Sequence, residues 1–400
     1  MFALLTAERL LGGLRFLALK RPAFVSTLRA ALLQPEVVSA LAHGKRTKSN
    51  AVEDVHIHRE EILGRGVQIC QVLGPGDSNP AGNVHGGVVL KLAESAGYLA
   101  VARHCNANRT DDQPLVPYSA RMEKSAFINP MYLGQCAVVN AKVAYASNRT
   151  VQVHVDVWAE NLLSGHLTLC NQARIWYVAF RAGKDSEVPQ RVPPVVPIND
   201  DEKQAYAEGQ KEHATAKSLK HIQPVVSDLE DYRRGLGRET HLNDGDTRTV
   251  GWSFTELAQM VCPSHCEDNK ATAGVIMKLM DTCAGIAAVR HARSNVVTVA
   301  LSQMEFFKPI NLGEIMSVSG RITYVSERSI EVEVIVTAYA PIETRKTDAK
   351  VRCVFSMVPL AWHGGALTIP KLQLLTDEEK VRFLRGEERY KARRTVSAAA

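Results

Sequence analysis

Two carboxylates stand alone in stretches that are otherwise apolar: Glu94 in "VVLKLAESAGYLAVARHC" and Asp281 in "VIMKLMDTCAGIAAVRHA". Each follows a turn-rich polar loop, "DSNPAGNVHGG" before Glu94 and "CEDNKATAG" before Asp281. A loop that feeds a helix in this way could cradle a phosphate, hold a metal, or present free N–H groups to a developing negative charge. The Walker form of cradle is excluded, because its Gly-Lys-Ser/Thr ending is absent. Gly86 and Gly87 stand where the first loop enters its helix. Without side chains they would let a substrate reach the first free N–H groups, at the positive end of the helix dipole. That makes an oxyanion site. A carboxylate isolated in an apolar helix needs a partner or a raised pKa. From the residues alone two readings stay open: an ion pair with the lysine three residues earlier, Lys91 or Lys278, or a base that activates water.

The elements that must position these groups occur twice. The two helical stretches align without a gap, placing Lys91 on Lys278, Leu92 on Leu279, Glu94 on Asp281, Arg103 on Arg290 and His104 on His291. Further on, "FINPMYLGQ" (127–135) matches "FFKPINLGE" (306–314), and "YASNRTVQVHV" (145–155) matches "YVSERSIEVEV" (324–334). The first copy carries an insertion around "NANRTDDQPLVP". Even the charged tails repeat, "DEKQAYAEGQ" (201–210) against "EEKVRFLRGE" (378–387). Ordered blocks with one indel mark a tandem duplication. Residues 88–104 are apolar on nearly every side, which predicts a helix wrapped by other structure. Val151, Val153, Val155 and Val157 alternate strictly, as do Ile330, Val332, Val334 and Val336, so each run predicts a strand with one buried face. Strand-like runs flank them at 136–145, 169–178, 315–325 and 350–358. Short turns between consecutive strands predict an antiparallel sheet, and its apolar face needs the one long apolar helix as cover. The plan is α+β, copied once.

The organisation follows: a leader over 1–50, a first unit over 55–180, a linker over 181–247, a second unit over 248–362 and a charged helix and tail over 363–400. The linker is proline-rich ("VPQRVPPVVP") and then charged, which predicts a solvated helix within it; the charged C-terminal helix is its counterpart. The first 33 residues of the leader hold Arg9, Arg15, Lys20, Arg21 and Arg29 against a single acid, Glu8, and are too interrupted by charge to span a bilayer. Basic, acid-poor and amphipathic is the composition of a mitochondrial transit peptide; a cytoplasmic protein with a retained surface helix or tail is the alternative.

Apolar content of 46% and charged content of 22% describe an ordinary globular chain, and 400 residues call for more than one core. A net charge of +6 suits an anionic small molecule, but no dense Lys/Arg stripe with interleaved aromatics marks a nucleic-acid surface. Eight cysteines are scattered singly, as in a reducing compartment. Cys262, His265 and Cys266 lie close together, yet no second ligand pair follows at zinc spacing, so no metal is expected.

In "NPAGNVHGG", "RHCN", "ENLLSG" and "WYV" of the first half, and "KLMD", "ITY" and "TDEEK" with its following "RF…G…RY" in the second, the chain resembles the tandem hotdog-fold acyl-CoA thioesterases, specifically the brain-type long-chain acyl-CoA hydrolases. The resemblance spans roughly residues 66 to 394. It implies two hotdog units, each a sheet wrapped around one long helix, packed as an intrachain pseudo-dimer. It further implies hydrolysis of fatty acyl-CoA without a cofactor, coenzyme A being part of the substrate, and a homo-oligomer, a trimer of double-hotdog chains. The family's general base falls on Asp281, and its catalytic asparagine falls on Asn79. The second loop departs from the family: His85-Gly86-Gly87 is answered by Thr272-Ala273-Gly274. If each loop faces the other unit's helix, Asn79 and Asp281 form the working pair, with the Gly86 and Gly87 amides taking the oxyanion, and Glu94 faces an impaired loop and is idle. His85 is either a structural or a catalytic histidine. Arg149 and Arg328, at equivalent turns, are candidates for the phosphates of coenzyme A. Two other activities fit the fold: a hydratase or dehydratase, which would use a histidine with an acid such as His85 and Asp281, and a non-catalytic acyl-CoA binder.

Overall fold

The computed structural model describes residues 66–80, 82–107, 109, 113–183, 188–218, 229–342, 348–360 and 367–399; the leader over 1–50 lies outside them. Four helices organise these residues: α1 (Gly86–Asn106), α2 (Asp200–Ser218), α3 (Ala273–Ala292) and α4 (Asp377–Ala399). No helix among the described residues is long and apolar enough to cross a membrane. Helix α1 buries most of its circumference, Val88, Ala93, Gly97 and Val101 among it, and leaves a narrow stripe with Lys91 and Arg103 exposed; α3 likewise buries Ile276, Met280, Cys283 and Ala287 and leaves Val289 and Arg290 exposed. A helix apolar on most of its sides cannot lie on a surface, so the strands close around both. Asn106 fixes the end of α1: its side-chain amide donates to Ala102 and Leu115 carbonyls and accepts from the Leu115 N–H, turning the chain into the sheet.

The first unit supplies β1 (Val67–Val72), β2 (Leu115–Met122), β3 (Ser125–Ala126), β4 (Cys136–Ala146), β5 (Thr150–Glu160) and β6 (Leu167–Arg181). The second supplies β7 (Thr255–Met260), β8 (Asn295–Leu301), β9 (Met304–Phe306), β10 (Ile315–Val325), β11 (Ile330–Tyr339) and β12 (Ala349–Leu360). All pair antiparallel in one 12-stranded sheet, ordered β1-β4-β5-β6-β2-β9-β12-β11-β10-β7, with β8 alongside β12 and β3. Each unit is thus a hotdog, and the units join reciprocally: β2 pairs with β9 (Met122 opposite Met304), and β3 pairs with β8 (Ser125 opposite Leu301). Behind this seam α1 packs directly on α3. The alternating valines of β5 and the Ile330–Val336 set of β11 face the helices, each at most 1% exposed. Burial of such side chains stabilises by ~1.5–3 kcal/mol each.

One expectation is corrected. The charged helices α2 and α4 are solvated on one face only; each docks its other face on the outer face of its unit's sheet. Tyr206 and His213 of α2 pack on the Tyr145 ring at 5.1 and 5.8 Å, and Glu212 accepts from Gln152 Nε2 and Arg174 Nη1 at 2.5 Å. Phe383 and Tyr390 of α4 pack on Tyr324 in the same way. Arg389 and Arg393 reach Glu331, which is fully buried, and Arg321 and Arg352 clasp Glu333, whose carboxyl those guanidiniums hold down at about 2 against the opposing effect of burial. Both outer faces are polar, so the helices that cover them are polar too, bound by ion pairs and aromatic rings rather than by an apolar stripe.

Candidate active site

The loop before α1 is built to a fixed shape. Asp77 Oδ2 accepts from the Gly74 N–H, Asn79 and Asn83 close a turn through the Asn79 N–H and Asn83 carbonyl at 2.7 Å, and the Asp77 carbonyl accepts from the His85 N–H at 2.8 Å. Gly82 sits at φ +93° within that turn, a conformation glycine adopts at little expense. His85 then caps α1 in an extended conformation.

This loop faces the helix of the other unit. The Gly87 N–H donates to Asp281 Oδ2 at 2.6 Å, His85 Nδ1 lies 2.9 Å from the same oxygen, and Thr298 Oγ1 donates to Oδ1 at 2.6 Å. His85 Nδ1 is also 3.1 Å from the Gly87 nitrogen, but one ring nitrogen cannot accept from Gly87 and donate to Asp281. The carboxylate is the nearer and stronger acceptor for both N–H groups, so the tautomer is assigned as Nδ1–H pointing at Asp281. Burial pulls the His85 pKa down, but the hydrogen bond and charge of Asp281 outweigh it and leave the imidazole above its usual value. Asp281 is 2% exposed, and three donors fix its orientation.

Asp281, Thr298, Asn79, His85 and Gly86 all line one cavity of about 870 Å³, bounded by the first unit's loop on one side and by α3 and β8 on the other. The structure therefore brings Asn79, His85, Gly86, Gly87 and Asp281 together at the seam. Two details differ from the sequence reading. The Gly87 amide is committed to Asp281, which leaves Gly86, at the first helical position, as the loop glycine that lines the cavity. The glycines also serve helix packing more than substrate approach: a Cβ on Gly87 would lie 2.8 Å from Lys278 Cα, and one on Gly86 would lie 3.1 Å from Asp281 Oδ2.

The second crossing repeats this with altered parts. Ser119 Oγ donates to Glu94 Oε1 at 3.3 Å and the Gly274 amide hydrogen-bonds the same carboxyl. Thr272 stands where His85 does and caps α3 through its own side chain. The turn is one residue shorter, with Glu267 opposite Lys270 and both Asp268 and Asn269 at positive φ. Burial pushes the Glu94 carboxyl up to about 7. Neither carboxylate depends on its helix-mate: Glu94 and Asp281 take their donors from the opposite unit and from Ser119 and Thr298, while Lys91 is exposed.

Arg149 and Arg328 occupy exposed turns where Ser147 and Ser326 hold their backbone, and neither lines the cavity. The cation that does is Arg290, held to the Phe254 carbonyl at 2.9 Å. Cys262, His265 and Cys266 belong to the second loop's own turn, where His265 Nδ1 accepts from the Cys262 N–H. No group of three metal-ligating side chains occurs among the described residues. Thr298 was missed from sequence. Its signal was a hydroxyl in the apolar run "NVVTVAL" that recurs as Ser119 in the other copy.

The Thioesterase superfamily matches the chain twice, over residues 81–165 and 272–343. The chain is 35% identical over 330 residues to a cytosolic acyl coenzyme A thioester hydrolase of Mus musculus, covering 82% of this chain and 83% of that one. To the protein of the same name from Homo sapiens it is 36% identical over 322 residues, 80% and 81% of the two chains. An acyl-CoA hydrolase of Staphylococcus aureus solved with butyryl coenzyme A is 26% identical, with a TM-score of 0.35 over 38% of this chain and 95% of that one.

Proposed function

Because the chain belongs to the family of cytosolic acyl coenzyme A thioester hydrolases within the thioesterase superfamily, we propose that it hydrolyses acyl-CoA thioesters, long-chain ones included, to free acid and coenzyme A at the seam between its two units. The observation that carries this reading is the Asp281 carboxylate, buried at the cavity wall and oriented by Gly87, His85 and Thr298. A carboxylate has about four acceptor positions, and three are filled, which leaves one for a water. That water loses a proton to Asp281 as it attacks the thioester carbonyl. The oxyanion forms against the Gly86 N–H, where the α1 dipole adds partial positive charge. Asn79 supplies a further hydrogen bond to the carbonyl or the water. The tetrahedral intermediate collapses with loss of the coenzyme A thiolate, whose low proton affinity makes a good leaving group without metal or organic cofactor.

Glu94 is idle in this reading, since it meets Thr272-Ala273-Gly274 and lacks the imidazole. Asp281→Asn lowers kcat by ~10²–10⁴-fold on palmitoyl-CoA, the span usual for a lost general base, and Glu94→Gln leaves thiol release intact. Turnover that survives the first change and disappears with the second would move the site to the other crossing.

The quaternary and cellular readings are proposals of the same standing. A trimer of double-hotdog chains would show a mass three times that of the 43.9 kDa chain in light scattering. The basic leader points to mitochondria, whereas the relatives are named cytosolic; mass spectrometry of the natural N-terminus separates a cleaved transit peptide from a retained one.

A further inference from the structure

Gly285 lies one turn after Asp281 in the middle of α3. A glycine inside a helix is destabilising relative to alanine, so it calls for a reason. The usual reasons fail here. Its backbone is helical, and a Cβ built on it meets nothing within 4 Å, whereas one on Gly87, Gly274 or Gly320 would press on a neighbouring atom at 2.8 to 3.1 Å. What Gly285 does touch is the cavity, which it lines.

The duplication shows what the position would otherwise hold. Glu94 and Asp281 are equivalent, so Tyr98 is the counterpart of Gly285. On the facing strands Ser119 sits opposite Tyr177 and Val116 opposite Phe180, just as Thr298 sits opposite Met357 and Asn295 opposite Leu360. Tyr118 therefore answers to Val297, and Phe180 to Leu360. In one half three aromatic side chains fill the space: Tyr98 packs on the core, Tyr118 and Phe180 lie 5.7 Å apart, and Lys270 Nζ caps Tyr118 at 4.6 Å. In the other half the three positions are Gly285, Val297 and Leu360, and all three line the cavity.

We propose that Gly285 is a specificity-determining residue whose missing side chain holds open the passage for the acyl chain beyond the reacting carbonyl; this rests on the thioesterase reading above. Along α3 the cavity face runs Asp281, Gly285, Val289, with about 6 Å between successive members. Ile286, Val296, Val297 and Leu360 complete an apolar wall there. The pantetheine arm, with its two amides, is served better by the loop side, where Asn79, Asn83 and Asn129 stand. On the α3 side Thr282, Asn295 and Arg290 also reach the cavity, Arg290 with its guanidinium held to the Phe254 carbonyl, and the apolar wall around Gly285 is left to hydrocarbon.

The test is the ratio of kcat/KM for palmitoyl-CoA to that for butyryl-CoA, measured on the full chain by thiol release. Gly285→Leu lowers this ratio at least ~10-fold, the scale on which filled apolar pockets discriminate chain lengths. Gly285→Ala, whose methyl meets open space, stays folded and lowers the ratio in the same direction by a smaller factor, so it decides the matter if the leucine variant does not fold. A ratio unchanged in both variants, or a parallel fall for both substrates accompanied by weaker inhibition by free coenzyme A, overturns the proposal. Absence of thiol release from every acyl-CoA by the wild-type chain would instead remove the thioesterase reading itself.

Discussion

The amide of Gly87 and the carboxylate of Asp281 meet at 2.6 Å across the seam, one from each copy of the duplicated unit. With the His85 contact to the same carboxylate, this bond takes the base from one half and its orienting donors from the other. It requires α1 and α3 to approach closely, and Gly87 is the point where they do. A Cβ there would stand 2.8 Å from Lys278 Cα and 3.0 Å from the Lys278 carbonyl, both backbone atoms that cannot rotate away. Gly87→Ala therefore destabilises the chain by ~1–3 kcal/mol, as overpacking does, and lowers kcat at temperatures where the protein remains folded. Urea denaturation beside thiol release checks both; a variant with wild-type stability would mean that the helices have room to spare.

Thr298 tests whether orientation of Asp281 matters apart from its presence. Its hydroxyl donates to Oδ1 at 2.6 Å, and Thr298→Val removes the donor while keeping the shape. A hydrogen bond to a charged group contributes ~1.5–3 kcal/mol, so kcat falls ~10–100-fold, and Thr298→Ser restores most of it. KM changes less than kcat if the hydroxyl acts on the base rather than on substrate. Equal activity of the valine variant would assign Thr298 to packing.

Much of this was legible in the sequence because the duplication doubles every signal. The apolar helices and the alternating strands follow from setting Glu94 over Asp281, and the crossed pairing of loop and carboxylate from what the thioesterase resemblance implies together with which loop remained intact. Thr298 was hidden because a β-branched residue in a strand is unremarkable until its partner is seen. The docking of α2 and α4 was hidden for a different reason. Their faces carry Glu212, Arg389 and Arg393, and a charged face reads as solvated unless the opposing strand is known to present Arg174 or Glu331. The one available hint was a small one, the glycine shared by "YAEGQ" and "FLRGE".

That glycine gives a prediction about the helices. Gly209 of α2 faces Tyr145, and an added Cβ would lie 2.6 Å from Tyr145 Cβ and 2.5 Å from Gln152 Oε1; Gly386 of α4 stands against Tyr324 in the same manner. Gly209→Ala should gain helix propensity yet lose docking, and the contact wins: a net loss of ~1–3 kcal/mol by overpacking against a gain below ~1 kcal/mol from propensity. Thermal unfolding of Gly209→Ala and Gly285→Ala side by side makes the comparison, since both replace a mid-helix glycine and only the first meets a neighbour. A stabilised Gly209→Ala would show that α2 is loosely held.

Glu94 gives the stability of the chain a pH dependence of its own. Burial raises its carboxyl from 4.5 to about 7, so the folded state binds this proton more tightly than the unfolded chain does. The protonated group therefore contributes its full stability below about pH 4.5, and that contribution is lost as pH rises through about 7. At 1.36 kcal/mol per pKa unit the loss is on the order of 3 kcal/mol, complete by about pH 8. Glu94→Gln, neutral at every pH and able to accept from Ser119 and Gly274, should flatten stability between pH 5 and 8 and exceed the wild type at the alkaline end. Urea midpoints across that range measure it. Parallel curves for the two proteins would mean that Glu94 ionises freely where it stands, and its environment would then have to admit water.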